Sequence, residues 1–164
     1  MKRTSLRAVA LAGAMLFLFA LAAPALAQTD NTAVAVNTED GSSVFSFAFD
    51  IKRVGGDVVD PLNGAVAYAS CTDCETVAVA IQIVLVSGDP DVVAPQNVAV
   101  AVNDDCELCL TLALAYQYVF GAGDEPLHFT KEGKERLKEV KKAFKELEGT
   151  TMSTAELLPI VQAL

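Results

Sequence analysis

Cys71-Thr-Asp-Cys74 and Cys106-Glu-Leu-Cys109 are the residues here whose type and spacing could do chemistry. Two thiols separated by two residues can close a small disulfide, present two thiolates to a metal, or cycle between dithiol and disulfide. Four thiolates together make a tetrahedral zinc site. The 31 residues between the two pairs exceed the usual zinc-ribbon spacing, however. A redox-active CxxC draws its low thiol pKa from a helix N-terminus, whereas both motifs here fall between strand patterns. The leading reading is structural disulfides, with zinc binding and thiol redox chemistry as alternatives.

No other group converges on a reaction. Asp57, Asp60, Asp89, Asp91 and Asp124 offer hard oxygen ligands for Ca²⁺, but no loop has ligands at EF-hand positions. They read as solvated turns. His128 is the single histidine, so an HExxH zinc hydrolase is excluded within this chain, and no partner nucleophile is designated for it. No catalytic residue and no cofactor is expected, zinc being the alternative. With 12 Lys+Arg against 21 Asp+Glu, the chain lacks the basic surface that nucleic acid requires. A hydrophobic fraction of 52% also argues against intrinsic disorder.

The elements that must place the cysteines begin after a leader. Lys2, Arg3 and Arg7 precede the unbroken apolar run Ala8–Ala22, and Ala25-Leu26-Ala27 is an A-x-A cleavage site. This predicts a signal peptide over 1–27 and a secreted or extracytoplasmic protein that does not span the membrane. An uncleaved anchor is the alternative. Cleavage removes three basic residues and no acid, leaving a formal charge of −12 on the remainder. Most of the acid lies in 28–127; the tail, 128–164, has 7 Lys+Arg and 6 Asp+Glu.

Residues 28–127 repeat themselves. Asn31-Thr-Ala-Val-Ala-Val, Asn63-Gly-Ala-Val-Ala-Tyr and Asn97-Val-Ala-Val-Ala-Val open three copies, spaced 32 and 34 residues apart. Each is followed by a polar turn and a longer alternating run, such as Val77-Ala-Val-Ala-Ile-Gln-Ile. Alternation with period two means β-strand. Six strands are expected near 32–37, 44–54, 64–69, 76–86, 97–103 and 110–120, paired as three β-hairpins sharing one core. The architecture is mainly β, barrel-like or two-sheet, with the closed barrel preferred because closure removes sheet edges. Large residues such as Phe47, Val79, Ile81 and Leu114 are expected to form that core. The opposite face is mostly Ala, with Asp50, Gln82 and Gln117. It suits the close approach of a helix or a neighbouring strand, or else stacking and adhesion.

The repeats also bear on the cysteines. Both CxxC motifs occupy the turn, where copy one reads Glu39-Asp-Gly-Ser42. Copy one lacks both cysteines together, so the pair behaves as a unit, and a four-residue turn holds its ends within disulfide reach. Local bridges are expected, Cys71–Cys74 and Cys106–Cys109.

In the tail, Thr130 is a candidate N-cap, and Leu137, Val140, Phe144 and Leu147 recur at helical spacing before Gly149. The spacing predicts an amphipathic helix docked on the β core, a membrane-surface helix being the alternative. Glu132–Arg136 and Lys142–Glu146 are candidate ion pairs. Ser153 and Glu156 form a capping box for a second short helix, which Pro159 should kink or shorten.

At NTAVAVNTEDGSSVF, at AVAYASCTDCETVAVAIQIVLVSGDP and near LHFT, the chain resembles a family of uncharacterised bacterial exported proteins. In that family the same cassette also forms the C-terminal part of larger membrane proteins labelled peptide zinc metalloproteases. The resemblance implies an exported accessory module, and the peptidase motif itself has no counterpart here. The expected function is thus a non-enzymatic β-repeat module contacting an unknown protein or cell-envelope partner, self-association included. A thiol-redox or four-cysteine zinc protein is the alternative.

Overall fold

The computed structural model describes residues 31–121, 123, 127–150 and 152–164. The leader and Asp124 lie outside the described residues. Among these residues eight strands precede two helices: β1 (Asn31–Asn37), β2 (Ser43–Val54), β3 (Val58–Val59), β4 (Leu62–Ala69), β5 (Glu75–Val86), β6 (Val92–Val93), β7 (Gln96–Asn103), β8 (Leu110–Gly121), α1 (Lys131–Leu147) and α2 (Thr154–Ala163). The molecule is mainly β with a helical C-terminus, as expected. β3 and β6 add two short strands within the aspartate-bearing stretches that read as solvated turns in the sequence.

The pairing differs from the expectation. Among the described residues no hairpin forms: β1 pairs in parallel with β4 and β4 with β7, while β2 pairs with β5 and β5 with β8. Each copy is one coil of a solenoid. Its two long strands face each other through side chains, and their hydrogen bonds go to the neighbouring coils. Nor is the barrel closed; two three-stranded sheets lie face to face, with β3 and β6 as a small third. Register is unbroken, so like stacks on like: Asn31, Asn63 and Asn97 form one column, and Phe47, Val79 and Leu114 another. Such stacking buries a continuous core that no single repeat could bury alone.

The roles of the two strand faces are also corrected. The inner layer between the sheets is made of alanine. Ala33, Ala35, Ala65, Ala67, Ala78 and Ala80 are buried there, with Val44, Ala48, Ala113 and Ala115 against them. The large residues point outward. On the β2–β5–β8 sheet they form a second layer, where Val77 and Val79 pack under Phe144, Leu147, Leu157 and Val161 of the helices. The Phe144 ring stacks on Phe47, centroids 4.3 Å apart and planes within 8°.

Local signals fix the helices. The Thr130 side chain accepts from Gly133 N–H at 3.1 Å, and α1 ends before Gly149, whose φ is 78°. Ser153 and Glu156 form the reciprocal capping box, and those hydrogen bonds hold the Glu156 carboxyl below its ordinary pKa. The Thr154 N–H donates to the Glu75 side chain, tying α2 to β5. Pro159 does not end α2, which runs on to Ala163. Lys142 pairs with Glu146 at 3.5 Å, but Arg136 meets Glu139 at 3.4 Å, three residues on, instead of Glu132.

Candidate functional site

The tips of the coils stack as the strands do. The third tip residue is Gly41, Asp73 and Leu108 in turn, and all three adopt left-handed backbone, φ 68°, 53° and 60°. Glycine takes that conformation freely, whereas a Cβ makes it costly. In the first two coils this conformation aims the residue's N–H at the next coil. Gly41 N–H donates to the Thr72 carbonyl at 2.9 Å, and Asp73 N–H donates to the Glu107 carbonyl at 2.8 Å. Copy one holds its tip without sulfur: Ser42 Oγ and Glu39 N–H both donate to Asn37 Oδ1, at 2.7 and 3.1 Å.

In the other two coils cysteines bracket the strained residue. Cys71 is paired with Cys74 and Cys106 with Cys109, at Cα separations of 6.1 and 5.7 Å. These are the local pairings expected from the sequence. The stack also brings the pairs together, Cys74 Sγ lying 3.4 Å from Cys109 Sγ. All four sulfurs lie within 4.8 Å of one another, two of them buried and two half-buried. The long sequence gap that argued against zinc is one coil of solenoid, and coil stacking cancels it. Four thiolates around a zinc ion with bonds near 2.3 Å would sit about 3.8 Å apart, so the donor set fits once reduced. As disulfides the sulfurs supply no thiolate. Chemically, the tip can brace the turn, exchange a disulfide between the two pairs once one pair is reduced, or take a metal cation once both are reduced.

The remaining sequence candidates are not drawn together. Asp57, Asp60, Asp89 and Asp91 are exposed around β3 and β6, and none joins a metal-competent cluster among the described residues. His128 is exposed just before α1. Among the described residues, no helix is long and apolar enough to cross a membrane.

Two features escaped sequence reading. Inside the stack, Asn63 is fully buried and hydrogen-bonds along a column of asparagines that bridges the two sheets. Gln117 Nε2 donates to Gln82 Oε1 at 2.8 Å in a second column, which Asp50 begins. The signal was present: an asparagine opens every copy.

The second feature is the outer face of the β1–β4–β7 sheet, which no helix among the described residues covers. Val34 and Val36 are each 46% exposed and Val98 39%. At its margin the Tyr68 hydroxyl donates to Asp104 at 2.9 Å. Burial raises the Tyr68 pKa above its ordinary value, and the Asp104 hydrogen bond adds to that. On the other sheet a groove with Phe49, Ile51, Phe129 and Leu137 in its walls is rimmed by lysines, Lys141 Nζ lying 5.7 Å from the Phe49 ring centroid.

Comparison with protein-family models, with curated proteins and with solved structures returns no match for this chain, so its chemistry rests on the geometry above.

Proposed function

We propose that the chain is an exported, non-enzymatic interaction module: a β solenoid braced by two tip disulfides that contacts a protein or the cell envelope. The observation that carries this reading is the bare valine face. Exposed apolar patches on a folded protein mark interaction surfaces more often than chance placement does. The basic, apolar N-terminus with its A-x-A site supports export, as does the likeness to exported bacterial proteins. Disulfides, too, persist in oxidising compartments. Binding of the purified protein to fractionated envelope tests it. Val34→Lys with Val98→Lys is expected to abolish binding while leaving the circular dichroism unchanged. Undiminished binding by that variant would overturn the role of the face, and reproducible turnover lost on one substitution would overturn the non-enzymatic reading.

A second reading rests on the four converging sulfurs. With all four reduced, Cys71, Cys74, Cys106 and Cys109 form a candidate tetrathiolate zinc site; with one pair reduced and the other oxidised, a thiolate of the reduced tip can attack the neighbouring disulfide, so that the first tip gains the bridge and the second becomes the dithiol. Zinc retained at one ion per chain after reduction and dialysis would favour it. Loss of binding in Cys74→Ser would complete that case.

A further inference from the structure

Among the described residues, the two ends of the solenoid carry complementary halves of one hydrogen-bond pattern. Within the molecule the pattern is complete. Asn31 Nδ2 donates to Asn63 Oδ1 at 2.8 Å and to the Ile81 carbonyl at 2.9 Å. One coil on, Asn63 Nδ2 donates to Asn97 Oδ1 at 2.8 Å and to the Tyr116 carbonyl at 3.0 Å. Asn97 begins a third round, and no further coil among the described residues finishes it. Among the described residues its amide donates only to the Ala115 carbonyl of its own coil, at 2.8 Å. At the opposite end Asn31 Oδ1 accepts no hydrogen bond among the described residues. Phe49, the register counterpart of Ile81 and Tyr116, lies on that same end.

The edges differ in how they are protected. β7 (Gln96–Asn103) and β8 (Leu110–Gly121) contain no charge and no proline. Long uncharged edges are templates for further strands unless something blunts them. β1 is equally plain, but β2 carries Asp50, Lys52 and Arg53. Glu148 Oε1 also accepts from the Phe47 N–H at 3.2 Å, occupying a donor of the β2 strand. Asp50 stands in the Gln82–Gln117 column with Oδ2 buried, 3.6 Å from Lys52 Nζ and without a hydrogen-bond partner among the described residues.

We propose that a second copy of this chain stacks head to tail on the first. β7 and β8 of one copy add to β1 and β2 of the next in the same parallel register, and Asn97 donates to the next copy's Asn31. The contact is heterologous, so it propagates into a filament instead of closing into a dimer. Glu148 and Asp50 restrain it: the first must release Phe47, and the second places a carboxylate where the interior columns have amides. The proposal deepens the interaction-module reading by naming the partner, but depends neither on export nor on the valine face.

Sedimentation velocity over a concentration series, with fibre diffraction of assembled material, tests it on the purified protein. The expected result is mass that keeps growing with concentration, a strand spacing of about 4.7–4.8 Å and an axial repeat of about 14 Å for three coils. Asn97→Asp sets a carboxylate against the next copy's Asn31 Oδ1 and should raise the concentration needed for assembly about tenfold. Ala101→Lys, at an exposed position of β7, should do the same by a separate route if Asn97→Asp fails to fold. Glu148→Ala should lower that concentration. A monomer at every concentration overturns the proposal, as does a closed dimer or assembly indifferent to both β7 variants. Envelope binding by a strictly monomeric protein would overturn stacking alone, whereas filaments that bind no envelope would overturn only the envelope reading.

Discussion

The outer faces of the two long sheets begin from the same alternating pattern and end in different environments. On β2–β5–β8 the large residues lie beneath α1 and α2, with Val79 fully buried and Phe144 at 1% exposure above it. On β1–β4–β7 the matching rows of valine face outward, Val34 and Val36 nearly half exposed. Strand length decides which face the helices can use. The second strand of each copy has 12 residues and carries Phe, Ile, Leu and Tyr; the first has 7 or 8 and carries mainly Val. A helix of 17 residues finds more apolar area on the longer sheet, and burial scales with area. The inner alanine layer, common to both sheets, holds them together whether or not the outer face is covered. One outer face therefore contributes to the fold, and the other is left uncovered by the described helices.

That contrast can be broken from the covered side first. Val79→Asp places an unpaired carboxylate in the helix–sheet layer and should abolish the cooperative transition in urea, a loss above about 4 kcal/mol. Phe144→Ala should cost about 3–5 kcal/mol in the same measurement, since it removes the ring that stacks on Phe47 and leaves a cavity. Either variant behaving like wild type would mean that the helices do not pack as described.

On the bare side the effects should be smaller. Tyr68→Phe loses the hydrogen bond to Asp104, about 0.5–1.5 kcal/mol near neutral pH. Because the folded-state pKa of Tyr68 is raised, its contribution is present below the unfolded value near 10 and is lost as pH rises through the folded one. The gap between wild type and Tyr68→Phe should thus narrow in alkaline urea titrations, and a widening gap would contradict the assignment. Val34→Thr, the smallest change, should stay within about 0.5 kcal/mol. A loss as large as that of Phe144→Ala would show that something covers this face.

Sequence alone settled the elements and the chemistry local to them. Alternation gave six long strands because side-chain period is intrinsic to extended backbone. The caps at Thr130 and Ser153 were legible because they involve neighbours three residues away, and CxxC pairing was legible for the same reason. Strand direction was not. Alternation is identical in a hairpin and in a coil whose strands pair with the next repeat, and a short polar turn serves either. The identical register of the copies favoured parallel stacking, in which asparagine meets asparagine, but that signal becomes decisive only when the partner strand is known. The tertiary structure alone decided that alanine lies inside and the large residues outside, because which face is buried depends on what the other sheet and the helices present. It alone also joined Cys74 to within reach of Cys109, since one coil of solenoid turns 35 residues of chain into a single strand spacing.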